Sequence, residues 1–153
     1  MTEDPRLGRW RNMLQTEGVD ASTLQLERCD PNTNGDALAT VRFGSLVFQF
    51  VRDRGEEFID VKSASVPKDY FSPDELGIAF GWRRPEDTVG DFRSKPNPLE
   101  GELAELVRRR GELELAFSAD HWVATVKAIA KAREVRGQIM LKRARELDPN
   151  DFG

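Results

Sequence analysis

The run Leu46-Val47-Phe48-Gln49-Phe50-Val51 constrains this chain more than any other stretch. It is apolar on nearly both alternating faces, which asks for a central strand with a helix over one side and something else over the other. Before it, Val41 and Phe43 alternate with Thr40 and Arg42 up to a tight break at Gly44-Ser45. After it, Phe58, Ile59 and Val61 resume the same period of two. Three strands linked by short turns make an antiparallel meander. Upstream, residues 19–37 alternate only weakly around Leu24 and Leu26 before entering the turn-forming run DPNTNGD.

Between the second and third of these strands lies the charged knot Asp53-Arg54-Gly55-Glu56-Glu57. Its structural reading is a hairpin loop of three to five residues, with Gly55 in the left-handed position that closes a bulge. Its functional reading is a charged tip that meets a partner, with Asp53, Arg54, Glu56 and Glu57 as candidate contacts. Glu56 and Asp60 share one strand face and Glu57 points away from them, so the carboxylates do not form a metal cage by themselves. No metal site is expected there.

The rest reads as helix. Asp4 can cap and Pro5 can open a helix to about Gln15, with Leu7, Trp10 and Leu14 on one face and Gly18 as its stop. Ser72, Pro73 and Glu75 form a capping-box start for a short helix that buries Leu76, Ala79 and Phe80. Residues 83–98 have three prolines and seven charges around Val89 and Phe92, and are read as a long loop. Beyond it, Leu99, Leu103, Leu106 and Val107 form a stripe, with a stop or bend at Gly111. Ser118 or Asp120 then caps a long helix whose apolar stripe is Trp122, Val126, Ile129, Met140, Ala144 and Leu147. The fold class is therefore α+β: an N-terminal helix, an antiparallel meander of three or four strands, and a C-terminal set of three or more helices. Residues 1–147 are expected to form one domain and 148–153 a flexible tail, in keeping with a chain of 153 residues.

Charge narrows the partner. Residues 1–105 carry 20 acidic against 13 basic side chains, a net of −7, and residues 106–153 carry 7 against 10, a net of +3. A pI near 5.2 argues against wholesale binding of a phosphate backbone. Basic clusters at Arg83-Arg84 and Arg108-Arg109-Arg110, with later arginines spread around a helix, keep a regulatory nucleic-acid binder as the alternative function. The one cysteine, Cys29, has no internal disulfide partner, and no window is long and apolar enough for a signal peptide or a membrane span, so a cytoplasmic protein without membrane association is expected.

Catalytic constellations do not assemble from these residues. His121 is the single histidine, and neither a nucleophile elbow, a zinc-ligand spacing, a phosphate loop nor a dinucleotide fingerprint occurs. The expectation is a non-enzyme with no cofactor. Trp82 and Phe92, beside the long loop, are aromatic residues of the kind that anchor a protein partner.

The segments VRFGSLVFQFVRDRGEEFIDV, YFSPDELGIAFGW and LEGELAELVRRRGELELAFSADHWVATVKAIAKAREVR, in that order over Thr40 to Arg136, resemble small bacterial proteins of unassigned chemistry. Some of these accompany polymorphic toxins and are treated as immunity proteins. The shared motifs are a strand–Asp-Arg-Gly–strand turn and an aromatic helix start, and no catalytic residue transfers with them. The resemblance implies a non-enzymatic protein that binds another protein, such as a toxin, and blocks it.

Overall fold

The computed structural model describes residues 4–30, 36–65, 70–89 and 98–147, with the backbone alone at 29, 30 and 147. Phe92, residues 90–97 of the long loop and the C-terminal residues 148–153 lie outside the described residues. The chain forms an α+β fold in the expected order. Helix α1 (Pro5–Thr16) precedes four strands, β1 (Gln25–Asp30), β2 (Asp36–Phe43), β3 (Leu46–Asp53) and β4 (Glu56–Ser63). Helices α2 (Pro73–Phe80), α3 (Leu99–Arg108), α4 (Arg110–Ala116) and α5 (Trp122–Leu147) follow, with a 3-10 turn at Pro85–Thr88. These elements divide into two compact units. The first holds α1, the sheet, α3 and α4; the second, from Asp74, holds α2, the 3-10 turn and α5.

In the first unit the strands pair in chain order, β1-β2-β3-β4, all antiparallel. The fourth strand comes from the weak alternation around Leu26, where the register slips between Leu26 and Arg28. This bulge explains why the period of two is blurred there in the sequence. Cross-strand rows set the core. Ala39, Phe50 and Ile59 stand side by side, as do Val41, Phe48 and Val61, and all six are at most 1% exposed. Trp10 of α1 lies over this face, its ring stacked on Phe50 at a centroid distance of 5.3 Å and 14° between planes. Leu103 and Leu106 of α3 are fully buried as well.

The sheet's other face differs from the expectation of a strand covered on both sides. Val47, Gln49 and Val51 of β3 are half-buried, and Phe58 of β4 is 44% exposed. An antiparallel sheet joined by short turns needs no crossover helices, so one of its faces can meet water even where the sequence is apolar.

Local chemistry fixes the ends of these elements. The Asp4 side chain accepts the Arg6 backbone N–H at 2.9 Å and caps α1. The Arg6 guanidinium hydrogen-bonded to the same group holds the Asp4 carboxyl down at about 2. The β2–β3 turn at Gly44-Ser45 is clasped by α4. The Glu114 carboxylate accepts from the Ser45 N–H at 3.0 Å and from its hydroxyl at 2.5 Å, and these bonds lower its pKa. Arg110 donates to Glu114 at 2.8 Å and lies over the Phe43 ring, 4.4 Å from the centroid. Gly44 has φ of +63°, which favours glycine, and a Cβ there would displace the Arg110 guanidinium, which it would meet at 2.3 Å.

In the C-terminal helices the expected break at Gly111 falls two residues earlier, at Arg109, which ends α3 and opens α4. The Ser118 hydroxyl donates to the Leu115 carbonyl at 2.6 Å and closes α4, and α5 begins at Trp122. Ala79 and Phe80 of α2 are half-buried, whereas Leu76 is fully buried as expected. At the start of the long loop Thr88 and Val89 are buried.

The second unit corrects the stripe expected for α5. Thr125, Ile129 and Ala132 are its buried residues, whereas Val126 is 42% and Met140 50% exposed and Ala144 is also exposed. Charged anchors set this rotation. Arg133 pairs with Glu75 of α2, and the Arg136 guanidinium donates to the Thr88 carbonyl at 3.1 Å and lies 3.8 Å from the Asp74 carboxylate. These contacts turn the helix by a fraction of a turn from the side that hydropathy alone selects.

Candidate protein-binding face

The β3–β4 hairpin carries four of the six residues singled out from the sequence, and its turn is tighter than expected. Asp53 pairs directly with Glu56, leaving Arg54 and Gly55 as a two-residue loop. Both have positive φ, 54° and 84°. Two left-handed residues make a type I′ turn, whose twist matches that of the strands. The turn is pinned by the Arg54 backbone N–H, which donates to the Asp36 carboxylate at 2.9 Å. Arg54 is the one described non-glycine residue with positive φ. Its side chain is 92% exposed, and its Nε lies 4.0 Å from the Asp53 carboxylate.

Alternation then sorts the charges. Asp53, Glu56 and Asp60 belong to the open face of the sheet, together with the cross-strand row Leu38, Val51 and Phe58. Further along, Thr40 donates to Glu27 at 2.9 Å, and the Lys62 ammonium sits 5.1 Å from the centre of the Tyr70 ring. Burial, aided by the charges of Glu27 and Asp60, pushes the Tyr70 hydroxyl up. The result is a half-exposed apolar row bordered by carboxylates at the tip and along one flank.

Glu57 leaves this group. It shares the face of Ile59 and Val61, and its carboxylate accepts the Trp10 indole N–H at 2.7 Å and the Arg9 guanidinium at 3.1 Å. Arg9 also donates to Glu100 of α3 at 3.0 Å. Burial opposes the Arg9 charge, but these two carboxylates outweigh it and raise its pKa. Glu100 is lowered by its own backbone N–H and then by Arg9. A groove of about 370 Å³ opens beside this pair, floored by Met13 and Leu103. Glu57 therefore ties α1 to the sheet. Its replacement by alanine leaves the indole N–H of a fully buried Trp10 without that acceptor, so a stability loss of about 1–3 kcal/mol is expected in urea unfolding. Asp53→Asn or Glu56→Gln in the same experiment should stay within about 0.5 kcal/mol of the parent.

Trp82 belongs to the second unit, half-buried against Phe80 at a centroid distance of 5.4 Å, with its backbone N–H on the Gly77 carbonyl at 2.7 Å. Phe92 lies outside the described residues. Phe58, which sequence reasoning assigned only to a strand, is the exposed aromatic beside the charged turn. Its parity, shared with Glu56 and Asp60 rather than with Ile59, was the signal that places it on the polar face.

Among the described residues no group of three or more His, Cys, Asp or Glu side chains is arranged to hold a metal ion, and no helix is long and apolar enough to cross a membrane. His121 is exposed just before α5, where its carbonyl accepts the Thr125 N–H. Three arginines that a nucleic acid would need have acidic partners within the fold: Arg110 with Glu114, Arg133 with Glu75 and Arg136 with Asp74. No family model, curated protein or solved structure matches the chain.

Proposed function

We propose that this chain is a non-enzymatic protein-binding module of the immunity type, and that it contacts a protein partner through the open face of its sheet. The observation that carries the reading is Phe58, 44% exposed at the end of the Leu38–Val51–Phe58 row and directly beside the acidic tip of Asp53 and Glu56. An exposed aromatic next to fixed charges has the make-up of an interface anchor with a steering rim. The strands position that rim in advance, so little ordering cost is left for binding.

Arg54 supports the same reading. A left-handed arginine costs about 1 kcal/mol where glycine or asparagine would rest without strain. Strain of this kind concentrates where a side chain is kept for use. The alternative, a nucleic-acid binder using the C-terminal arginines, would require phosphates to compete with Glu75, Asp74 and Glu114 for the same guanidinium groups.

The test is calorimetric titration of the purified chain with the protein encoded by the adjacent reading frame, alongside a growth assay in which the two are co-expressed. Arg54→Gly should raise stability by about 1 kcal/mol while weakening that binding, and Phe58→Asp should weaken binding by at least tenfold, about 1.4 kcal/mol. Unchanged binding by both variants, or no binding and no rescue of growth, would sink the proposal.

A further inference from the structure

We propose that the groove between α1 and α3 binds a linear aliphatic diamine or polyamine, with an ammonium group at each end and the methylenes between them over an apolar floor. Helix α1 covers the face of the sheet opposite to the open one, so this inference goes beyond the partner reading and does not rest on it.

At about 370 Å³ the groove falls within the size range of small-ligand sites. Arg9, Met13 and Glu17 follow one another at steps of four along α1 and its C-cap, and Glu100 and Leu103 face them from α3. The middle is apolar: Met13 is buried and Leu103 fully so. The two ends are acidic. At one, the Arg9 guanidinium is shared between Glu57 and Glu100, so these three charges sum to −1. At the other, Glu17 forms no ion pair among the described residues, and α1 has no basic residue in its last turn, so the negative end of the helix dipole adds to its charge. Arg9 and Glu17 are separated along the helix axis by about 12 Å. Asn12, exposed on the rim between them, offers an amide oxygen to an amine in mid-chain.

Charge and spacing select the occupant. Arg9, Glu17, Glu57 and Glu100 together carry −2, which opposes a carboxylate or phosphate ligand. A single metal ion fits no better, because the two acidic poles stand too far apart to share one coordination sphere. A neutral apolar molecule would cover the floor but take water from the carboxylates without replacing its hydrogen bonds. A chain with terminal ammonium groups meets both poles and the floor at once. Spermidine and 1,8-diaminooctane, when extended, hold their terminal nitrogens about 11 Å apart, close to the separation of the poles.

The probes are spermidine and 1,8-diaminooctane, titrated into the full chain with labelled methionine methyl groups and followed by NMR, with octane-1,8-diol and octanedioate as parallel arms. The Met13 methyl reports on the groove, and Met140, exposed on α5, is the internal control. Saturable shifts at Met13 and not at Met140 are expected with the amines, with a Kd of about 1 mM or tighter, and none with the diol or the diacid. Glu17→Lys should weaken amine binding by about tenfold or more, and Glu17→Gln by about threefold, each variant being checked for an unchanged circular dichroism spectrum. Glu100→Gln, at the other pole, gives the same reading if a Glu17 variant does not fold. Absence of a Met13 shift with both amines at about 10 mM overturns the proposal, as does undiminished binding by folded Glu17→Lys. Equal binding of the diol would make the groove merely apolar, binding of the diacid would reverse the charge assignment, and equal shifts at Met140 would mean unspecific attraction of cations; each contradicts the proposal.

Discussion

Phe50→Ala is expected to destabilise the protein by about 3–5 kcal/mol. The ring is fully buried, lies in the row between Ala39 and Ile59, and is stacked on Trp10 of α1. Its removal therefore opens a cavity at the point where helix and sheet meet, and the alanine already present at position 39 has no bulk with which to fill it. Part of the loss also belongs to the aromatic pair, which contributes about 0.5–1.5 kcal/mol beyond burial. Urea unfolding followed by tryptophan fluorescence measures the change. A loss below about 1 kcal/mol would mean that Phe50 is not at the centre of the core.

Arg83→Ala has the next largest expected effect, about 3 kcal/mol, in the second unit. Arg83 donates to Asp74 at 2.5 Å, and the two side chains are only 11% and 13% exposed. The arginine stem also fills the space over Gly77, where a Cβ would meet it at 2.7 Å. Truncation takes the Arg83 guanidinium away from the Asp74 carboxylate, which Arg136 approaches at 3.8 Å, and empties the space beside α2. Replacing both partners together, Asp74→Asn with Arg83→Met, should recover part of the loss, because the carboxylate charge is removed along with its closest cation and the methionine refills part of the space. If the double variant is no more stable than Arg83→Ala, packing over Gly77 rather than the ion pair is the source of the effect. Hydrogen exchange at α2 and α5 amides localises the change to this unit.

The parts of the fold that were legible in the sequence are those set by local pattern. The period of two around Val41, Phe48 and Ile59 placed three strands, and Asp4-Pro5 and Ser72-Pro73 placed two helix starts. The turn type was not legible. Arg-Gly lacks the Asn-Gly or Asp-Gly signature of a two-residue hairpin, and only the observed pairing of Asp53 with Glu56 shows that arginine accepts the left-handed position. The rotation of α5 was not legible either, because Arg133 and Glu75 are 58 residues apart. For the candidate site, alternation correctly separated Glu57 from Glu56 and Asp60. Its partners Trp10 and Arg9 come from a helix 47 and 48 residues earlier, which no local pattern announces. The open face of the sheet was misjudged for a related reason: an apolar run specifies strand burial only when the covering layer is known.

Whether a partner binds the open face of the sheet is measured directly by amide hydrogen exchange of the chain, free and in complex with the adjacent reading frame's product. Protection is predicted at the amides of β3 and β4 around Val51, Asp53, Arg54, Glu56 and Phe58, and it should vanish in Phe58→Asp while the protection of α1 is unchanged. Protection confined to other segments, or the same pattern in Phe58→Asp, would contradict the assignment.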